Sequence, residues 1–428
     1  MSRIILFIIV AGMVLAYGYR LEQIGPANQP FSPAQPLEPE KHQQQTENEA
    51  SPLHPKEFAA AGYCGAKIPS GFRRPTLGPI LNRDASPMGR TARRLYNNGD
   101  SEALLSHLTR WQESKETSPY PSIWRAVLHL ENQMPASALP YLSEAMNLAE
   151  DKPVIALILG NILSHTSELP RAIEALSIYT AAYPQDRPQQ QKLARLKTQY
   201  EIQARYKQSD YRGVELLYPP ESGHLDWADI LDQIDTKLDE AADFTGTIRR
   251  QTLTVIAFEG KAELLATTCV PTWTGGVYDG SIKLAMPNLE QLPNAVTLAH
   301  ETLHAQLSFS SPGEIPAWFS EGMAQAFAKE ETRAQSSWRK MVKHQTYIPF
   351  TSLGDSFLEF EGSDDARLAY HQGLAMVLWL YNTAGAEGLH EAVRALELPK
   401  DRQKRLLELF LTENDSEDFL EFVATLIH

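Results

Sequence analysis

The stretch that decides the fold runs from Asn294 to Met323 and reads NAVTLAHETLHAQLSFSSPGEIPAWFSEGM. Asn294 is a residue type that caps helix N-termini, so we predict a helix from here to about Phe309. His300 and His304 stand four residues apart on this helix. Their directions around the helix axis differ by only about 40°, so both imidazoles can reach one metal ion.

A second helix follows and carries an acid. Residues 312–313, Pro-Gly, form a turn, and Pro316 suits the first position of a new helix. Glu321 falls on that helix, seventeen residues after His304 (321−304), close enough to fold back as a third ligand. Two imidazoles and one carboxylate are a ligand set of Zn²⁺ that leaves a fourth position for water. The sequence therefore predicts a zinc site made by His300, His304 and Glu321.

Two further side chains lie near these ligands in the sequence. Glu301 follows the first ligand directly and projects to one side of it, so we predict that it stays off the metal and acts as a general base. Such a base takes a proton from the attacking water and passes it to the leaving amine. Gln325 comes one turn after Glu321, and either hydrogen-bonds a ligand or lies on the helix surface.

The motifs HETLH and WFSEG together resemble the gluzincin metallopeptidases, particularly their peptidase MA-like branch, which is related to the aminopeptidase-N and thermolysin groups. The resemblance covers about residues 213–391 and includes the loop Pro349 to Leu353 and the stretch Ala369 to Ala375. It implies zinc-dependent hydrolysis of peptide bonds. It also implies that Tyr370, which precedes a glycine by three residues, donates a hydrogen bond to the tetrahedral oxyanion.

The same resemblance predicts how a substrate would bind. It implies that the strand Ile282–Met286 edges the cleft and that its open edge pairs with an extended peptide. Aminopeptidase relatives carry a G-x-M-E-N motif whose acid holds the free amine of the substrate. The nearest stretch here is Leu284 to Asn288, with Pro287 in place of the acid, which favours an endopeptidase over an exopeptidase.

An earlier part of the chain, residues 91–206, has the three- and four-residue apolar spacing of helices. Ala138, Leu139 and Leu142 reappear as Ala172, Ile173 and Leu176, an offset of 34 residues (172−138). This stretch resembles tetratricopeptide repeats, and the alternative is an ordinary pair of helical hairpins. Such arrays bind peptides or partner proteins on a concave face, so we expect a protein partner here.

The N-terminus has the pattern of an export signal: one cation and then an uncharged, mostly apolar run, Ile4 to Tyr19. As a helix this run would reach about 24 Å, short of a hydrocarbon core of about 30 Å. Residues 1–20 are therefore a signal peptide or an N-terminal membrane anchor. Residues 21–90 are predicted to be a Pro- and Gln-rich linker, in part disordered. We expect an exported protein of the periplasm or cell envelope.

The net charge and the cysteine content bear on nucleic-acid binding and on a possible disulfide. The net charge of −14 argues against nucleic-acid binding. Cys64 and Cys269 are the two cysteines of the chain, and they either pair in an oxidising compartment or remain as thiols.

The predicted fold class is α+β. A zincin-like metallopeptidase domain with a small mixed sheet and a zinc-helix lobe spans residues 207–428. An all-α domain similar to tetratricopeptide repeats precedes it at 91–206. We predict strands at Val214–Tyr218, Thr252–Phe258 and Ser281–Met286, and a helix at Trp227–Phe244 that ends at Gly246. Two functions follow: an exported zinc metallopeptidase, or a non-catalytic scaffold that retains a zinc-binding domain.

Overall fold

The fold is mixed α and β, mostly helical with one small mixed sheet, as predicted. The computed structural model describes residues 76–114, 117–132, 134–150, 152–166, 168–270, 274–311, 315–353, 363–396, 402–410 and 415–427. The predicted signal or anchor, most of the linker, Cys64 and the turn at 312–313 lie outside these residues. Within them, no helix combines the length and the apolar character needed to cross a membrane.

In the described residues before the sheet, from 77 onward, the chain is mostly helical, and these helices share one apolar core. Neighbouring helices of this region pack together in chain order, with the closest packing between α4 and α5 and between α6 and α7. The helices are α1 Leu77–Arg83, α2 Pro87–Asn97, α3 Ser101–Glu113, α4 Tyr120–Glu131, α5 Pro135–Leu148, α6 Lys152–Leu163, α7 Leu169–Ala182 and α8 Arg187–Gln203.

Helical structure begins earlier than the sequence predicted. Residues 77–90 were assigned to the linker, but α1 and the start of α2 lie there. Leu77, Ile80 and Leu81 of α1 are buried in the helical core, which fixes this short helix despite the glycines and prolines around it. The linker prediction is therefore wrong for residues 77–90.

The positions related by 34 residues lie inside this core. Ala138 and Leu142 on α5 are fully buried, and so are Ala172 and Leu176 on α7. Gly160 on α6 lies against Leu176, where a Cβ would come within 2.7 Å of the leucine Cγ. Small residues let the two helices of a pair approach closely, which is the packing that the sequence pattern indicates. The assignment to tetratricopeptide repeats stays a prediction.

The sheet has five strands in the order β1-β2-β3-β5-β4. The inner pairs β2–β3 and β3–β5 are parallel, and the outer pairs β1–β2 and β4–β5 are antiparallel. Three strands were predicted within one or two residues, whereas β1 and β4 were not predicted. The strands are β1 Lys207–Tyr211, β2 Val214–Tyr218, β3 Leu253–Phe258, β4 Gly276–Tyr278 and β5 Ile282–Ala285.

One predicted feature of the sheet is wrong. The strand at Ile282–Ala285 was expected to have an open edge, but it lies between β3 and β4 and is paired on both sides. The outermost strand on this side is β4, which follows a short glycine-rich stretch and has only three residues. Alternation of apolar and polar residues reports which face of a strand is buried, and it does not report how many neighbours the strand has.

Helices cover both faces of the sheet. One face packs on α9 (Trp227–Thr245) and on α11 (Ala295–Ser310), and the other packs on α10 (Lys261–Thr267) and on Ile202 near the end of α8. Helix α9 ends at Gly246 in a left-handed conformation, as predicted. Because α8 contributes to the core of the sheet, the helical region and the sheet are joined by packing.

The described residues after α11 are mostly helical, and their helices share an apolar core with α12. Cys269, which precedes β4, is disulfide-bonded, and Cys64, the other cysteine of the sequence, lies outside the described residues. The remaining helices are α12 Ala317–Phe327, α13 Glu331–His344, α14 Ser363–Ala395, which is interrupted at Gly385, α15 Arg402–Phe410 and α16 Asp415–Thr425.

Candidate metal centre

Helix α11 presents the two histidines of the HETLH motif to one point. Asn294 caps the helix: its side-chain oxygen accepts hydrogen bonds from the backbone N–H groups of Val296 and Thr297. This agrees with the predicted helix start. The Nε2 atoms of His300 and His304 lie 3.1 Å apart. Two imidazole nitrogens this close, on the same side of a helix, can both coordinate one metal ion.

Glu321 on α12 completes the cluster. Its carboxylate oxygens lie 3.3 Å from Nε2 of His300 and 3.6 Å from Nε2 of His304. The three donor atoms all lie within 4.8 Å of one another, so these residues could hold a metal ion. Two imidazoles and one carboxylate fit Zn²⁺ and leave room for a fourth ligand. The start of α12 differs by one residue from the prediction, because Pro316 is its N-cap.

The pKa values of the buried cluster residues are set by burial and, against it, by their contacts with one another. Burial by itself would lower the pKa of His300, but hydrogen bonds with the carboxylates of Glu321 and Glu330 raise it well above the usual value. Burial likewise opposes the ionisation of Glu321, but the charges of His304 and His300 outweigh it and hold the pKa of Glu321 far below its usual range. The cluster thus keeps an ionised carboxylate beside the imidazoles.

The outer nitrogens of both histidines are hydrogen-bonded as well. Nδ1 of His300 lies 3.0 Å from a carboxylate oxygen of Glu330, and Nδ1 of His304 lies 2.9 Å from the hydroxyl of Ser320. Such contacts fix the orientation of a ligating ring and leave its Nε2 free to bind. Neither residue was predicted. Ser320 adjoins Glu321 in the motif, but Glu330 lies nine residues beyond Glu321 (330−321), where nothing in the pattern marks it.

Glu301 is buried beside the cluster and packs against the edge strand β4. Burial raises the pKa of its carboxyl above the usual value, although the charges of His300 and His304 and the nearby backbone N–H of Tyr278 act in the opposite direction. Gly276, on the same strand, lies so near that a Cβ there would be 3.2 Å from Cγ of Glu301. The side chain therefore lies between α11 and β4. A carboxylate whose pKa is raised accepts a proton more readily than an ordinary one, as a general base beside a metal site must.

Tyr370 on α14 also reaches this region. Its pKa is raised, first because of the nearby Glu321 carboxylate, then because of burial and the Glu301 carboxylate. The hydroxyl thus stays protonated and can act as a hydrogen-bond donor beside both acids.

The close crossing of α12 and α14 determines where Tyr370 lies. A Cβ on Gly322 would come within 2.3 Å of the carbonyl oxygen of Gly373, so the two backbones touch. Gln325 adds to this contact. It is buried, and its side-chain amide donates to the backbone carbonyls of Glu321 and Tyr370. Of the two predicted alternatives for Gln325, the helix-surface position is therefore wrong, and the hydrogen bond with a ligand residue is made to the backbone of Glu321.

Comparisons with known proteins give little beyond this geometry. No family model matches the chain, and no curated protein matches it. Among solved structures, the chain is similar to an M1 zinc metallopeptidase from Deinococcus radiodurans, with 12% sequence identity and a TM-score of 0.32. The match covers 52% of this chain and 52% of that one, so it spans about half of the M1 structure. A TM-score this low carries no argument, and the assignment of the site rests on its own residues.

Proposed function

We propose that this protein is a zinc-dependent metallopeptidase that hydrolyses peptide bonds. The observation that carries the proposal is the convergence of His300, His304 and Glu321 on one point, with a buried glutamate, Glu301, beside them. A site that only stores a metal has no need for this additional acid. The sequence motifs and the local geometry support the same chemistry.

Each residue of the site has a distinct role in this proposal. His300, His304 and Glu321 hold the ion, which when bound polarises the scissile carbonyl and lowers the pKa of the attacking water. Glu301 accepts the proton of that water and delivers it to the leaving amine. Tyr370 donates a hydrogen bond to the oxygen that becomes negatively charged in the tetrahedral intermediate.

The edge strand β4 offers a place for an extended substrate. On either side of β4, two backbone hydrogen bonds point towards β5 and its neighbouring residues. The Ala285 N–H donates to the Gly275 carbonyl, and the Asp279 N–H donates to the Ser281 carbonyl. In an antiparallel pair this pattern alternates, so Gly276 and Tyr278 direct their backbone groups away from β5. The Tyr278 N–H lies on the side of the Glu301 carboxylate. We propose that the backbone of Gly276 pairs with the peptide, as in sequence-tolerant strand addition.

Several parts of the proposal concern the protein's context. With Pro287 where aminopeptidase relatives carry an acid, we propose an endopeptidase. We further propose that the protein is exported to the periplasm or cell envelope, with its N-terminal segment cleaved or retained as an anchor. The helical region would recruit a protein substrate or partner. These points rest on the sequence patterns.

The experiment that tests the proposal compares three single variants. Glu301→Gln should retain zinc and lose hydrolysis, while His304→Ala should lose both. Glu290→Gln is the matched control, because Glu290 is an acid whose side chain is 79% exposed. Zinc content is measured by elemental analysis, and cleavage by mass spectrometry of a peptide library. Full activity of Glu301→Gln would contradict the mechanism. Bound zinc without cleavage of any peptide would favour the non-catalytic scaffold.

A further inference from the structure

The turn between β4 and β5 is docked on the helical region. Nδ1 of His165, just after α6, lies 2.9 Å from the backbone carbonyl oxygen of Asp279 in this turn. Burial, together with the charge of Lys192, lowers the pKa of His165 to about 4. The ring is therefore neutral at pH 7, and an Nδ1 that faces a carbonyl must carry the ring hydrogen and donate it.

The approach is close enough to require a glycine. Gly280, the next residue of the turn, has a φ of 106°, a backbone conformation that favours glycine. A Cβ at this position would lie 1.9 Å from the carbonyl oxygen of His165. The turn and the end of α6 are thus in backbone contact, and the two parts of the molecule cannot shift along each other without breaking it.

A buried lysine joins the same turn to a second helix. Lys283 on β5 is only 2% exposed, which is rare for this residue type unless its charge has partners. Its ammonium group donates to the Asp279 carboxylate at 2.7 Å and to the side-chain oxygen of Gln199 at 3.0 Å. One partner belongs to the turn and the other to α8. The helical region therefore supplies part of the hydrogen bonding that lets this charge be buried.

The docked turn is continuous with the strand that packs against the proposed base. Asp279 directly follows Tyr278, the last residue of β4. Gly276, two residues earlier, packs on Glu301 and on Thr297 of α11. Strand β4 thus contacts the general base at Gly276 and leads directly into the turn that contacts the helical region.

We propose that the helical region positions β4, and through it Glu301, by means of His165 and Gln199. These two residues and Lys283 are positioning residues for the reaction, and this role rests on the proposed peptidase function. In this proposal the helical region supports the geometry of the active site, in addition to its proposed role in recruiting a protein substrate or partner. A partner that displaced it from the turn would lower turnover and leave the metal ligands on α11 and α12 in place.

The test separates the hydrogen bond of His165 from its bulk. In His165→Asn, the amide nitrogen can take the place of Nδ1, whereas His165→Leu keeps side-chain volume and loses the donor. Because misplacement by about 1 Å can cost a catalytic group about 100-fold, we expect His165→Leu to lower kcat about 10- to 100-fold and His165→Asn to stay within about threefold of wild type. Equal kcat values for both variants, or loss in His165→Asn alone, would overturn the proposal.

Two further readouts do not depend on catalysis. Zinc affinity should be unchanged in both variants, because no metal ligand lies on β4. Amide hydrogen exchange over residues 274–286, measured by mass spectrometry, should be faster in His165→Leu than in His165→Asn. Unchanged exchange would refute the positioning role even if wild type cleaved no peptide. An inactive wild type with the expected exchange pattern would instead refute the proposed peptidase function alone.

A control and a second pair of variants complete the design. Arg205→Ala removes an ion pair with Glu263 that also joins the helical region to the sheet domain but does not touch the turn, so kcat should not change. If His165→Leu prevents folding, Gln199→Glu and Gln199→Leu make the same comparison at Lys283. The first retains an acceptor for the ammonium group and the second removes it. Equal kcat and equal exchange in this pair would also overturn the proposal.

Discussion

Glu330 gives the sharpest test of how the metal centre is built. Its carboxylate oxygen lies 3.0 Å from Nδ1 of His300, its side chain is only 11% exposed, and its second oxygen accepts from Arg333 at 2.8 Å. An acceptor at Nδ1 holds the hydrogen there and leaves the lone pair of Nε2 for the ion. Removal of such an acceptor weakens metal binding about 10- to 100-fold, or about 1.4–2.7 kcal/mol. We expect this loss for Glu330→Ala.

The measurement is a zinc competition titration against a chromophoric chelator at neutral pH. Glu330→Gln should lie between wild type and Glu330→Ala, because the amide oxygen still accepts but carries no charge. Glu331→Ala is the matched control, since it removes the next acid along the chain and leaves the contact with His300. A zinc affinity of Glu330→Ala within about twofold of wild type, below the range expected for an outer acceptor, would refute the reasoning. An equal loss in Glu331→Ala would do the same.

Three further predictions follow from other contacts. Tyr370→Phe should lower kcat about 100- to 1,000-fold with zinc affinity unchanged, which steady-state kinetics and titration check. Gly322→Ala, whose Cβ would meet the carbonyl oxygen of Gly373, should lower the free energy of unfolding by about 1–3 kcal/mol in urea, whereas Gly78→Ala, at an open position, should not. The pKa of His165 is about 4 in the folded protein and about 6.5 when unfolded, so the unfolded chain binds the extra proton and stability falls as pH drops from 6.5 to 4. Acidification to pH 4 should cost wild type up to about 3 kcal/mol more than His165→Asn in urea unfolding.

Local signals in the sequence predicted the elements that carry the site. Asn294 as a cap, the four-residue spacing of His300 and His304, and Gly246 as a helix stop each act within one or two turns of helix. The structure has these features where the sequence placed them. Glu321 was also predicted to meet the histidines, because a short connection leaves the second helix little choice but to pack against the first.

Features that depend on tertiary neighbours were not predictable in the same way. The interior position of β5 depends on which strands lie beside it, and alternation along Ile282–Ala285 cannot report that. Glu330 reaches His300 only because α13 follows α12 after a tight turn at Lys329, which has a φ of 58°. Likewise, the burial of α1 needs the surface that later helices provide, so its sequence alone resembles a linker.

The glycine-rich segment 275–280 is constrained by close contacts on two sides. Residues 275–280 were interpreted as a turn-rich lead into a strand, yet they contain β4. The first residue of β4, Gly276, and Gly280, two residues beyond its end, meet different parts of the molecule. At Gly276 a Cβ would lie 2.7 Å from Thr297 of α11, and at Gly280 it would lie 1.9 Å from the His165 carbonyl. Side chains at these two positions would force the strand away from α11 or from the helical region. Glycine is therefore required here for close approach on both sides. Only three residues separate these two contacts. A displacement of the turn at Gly280 should therefore also displace Gly276, which packs against Glu301.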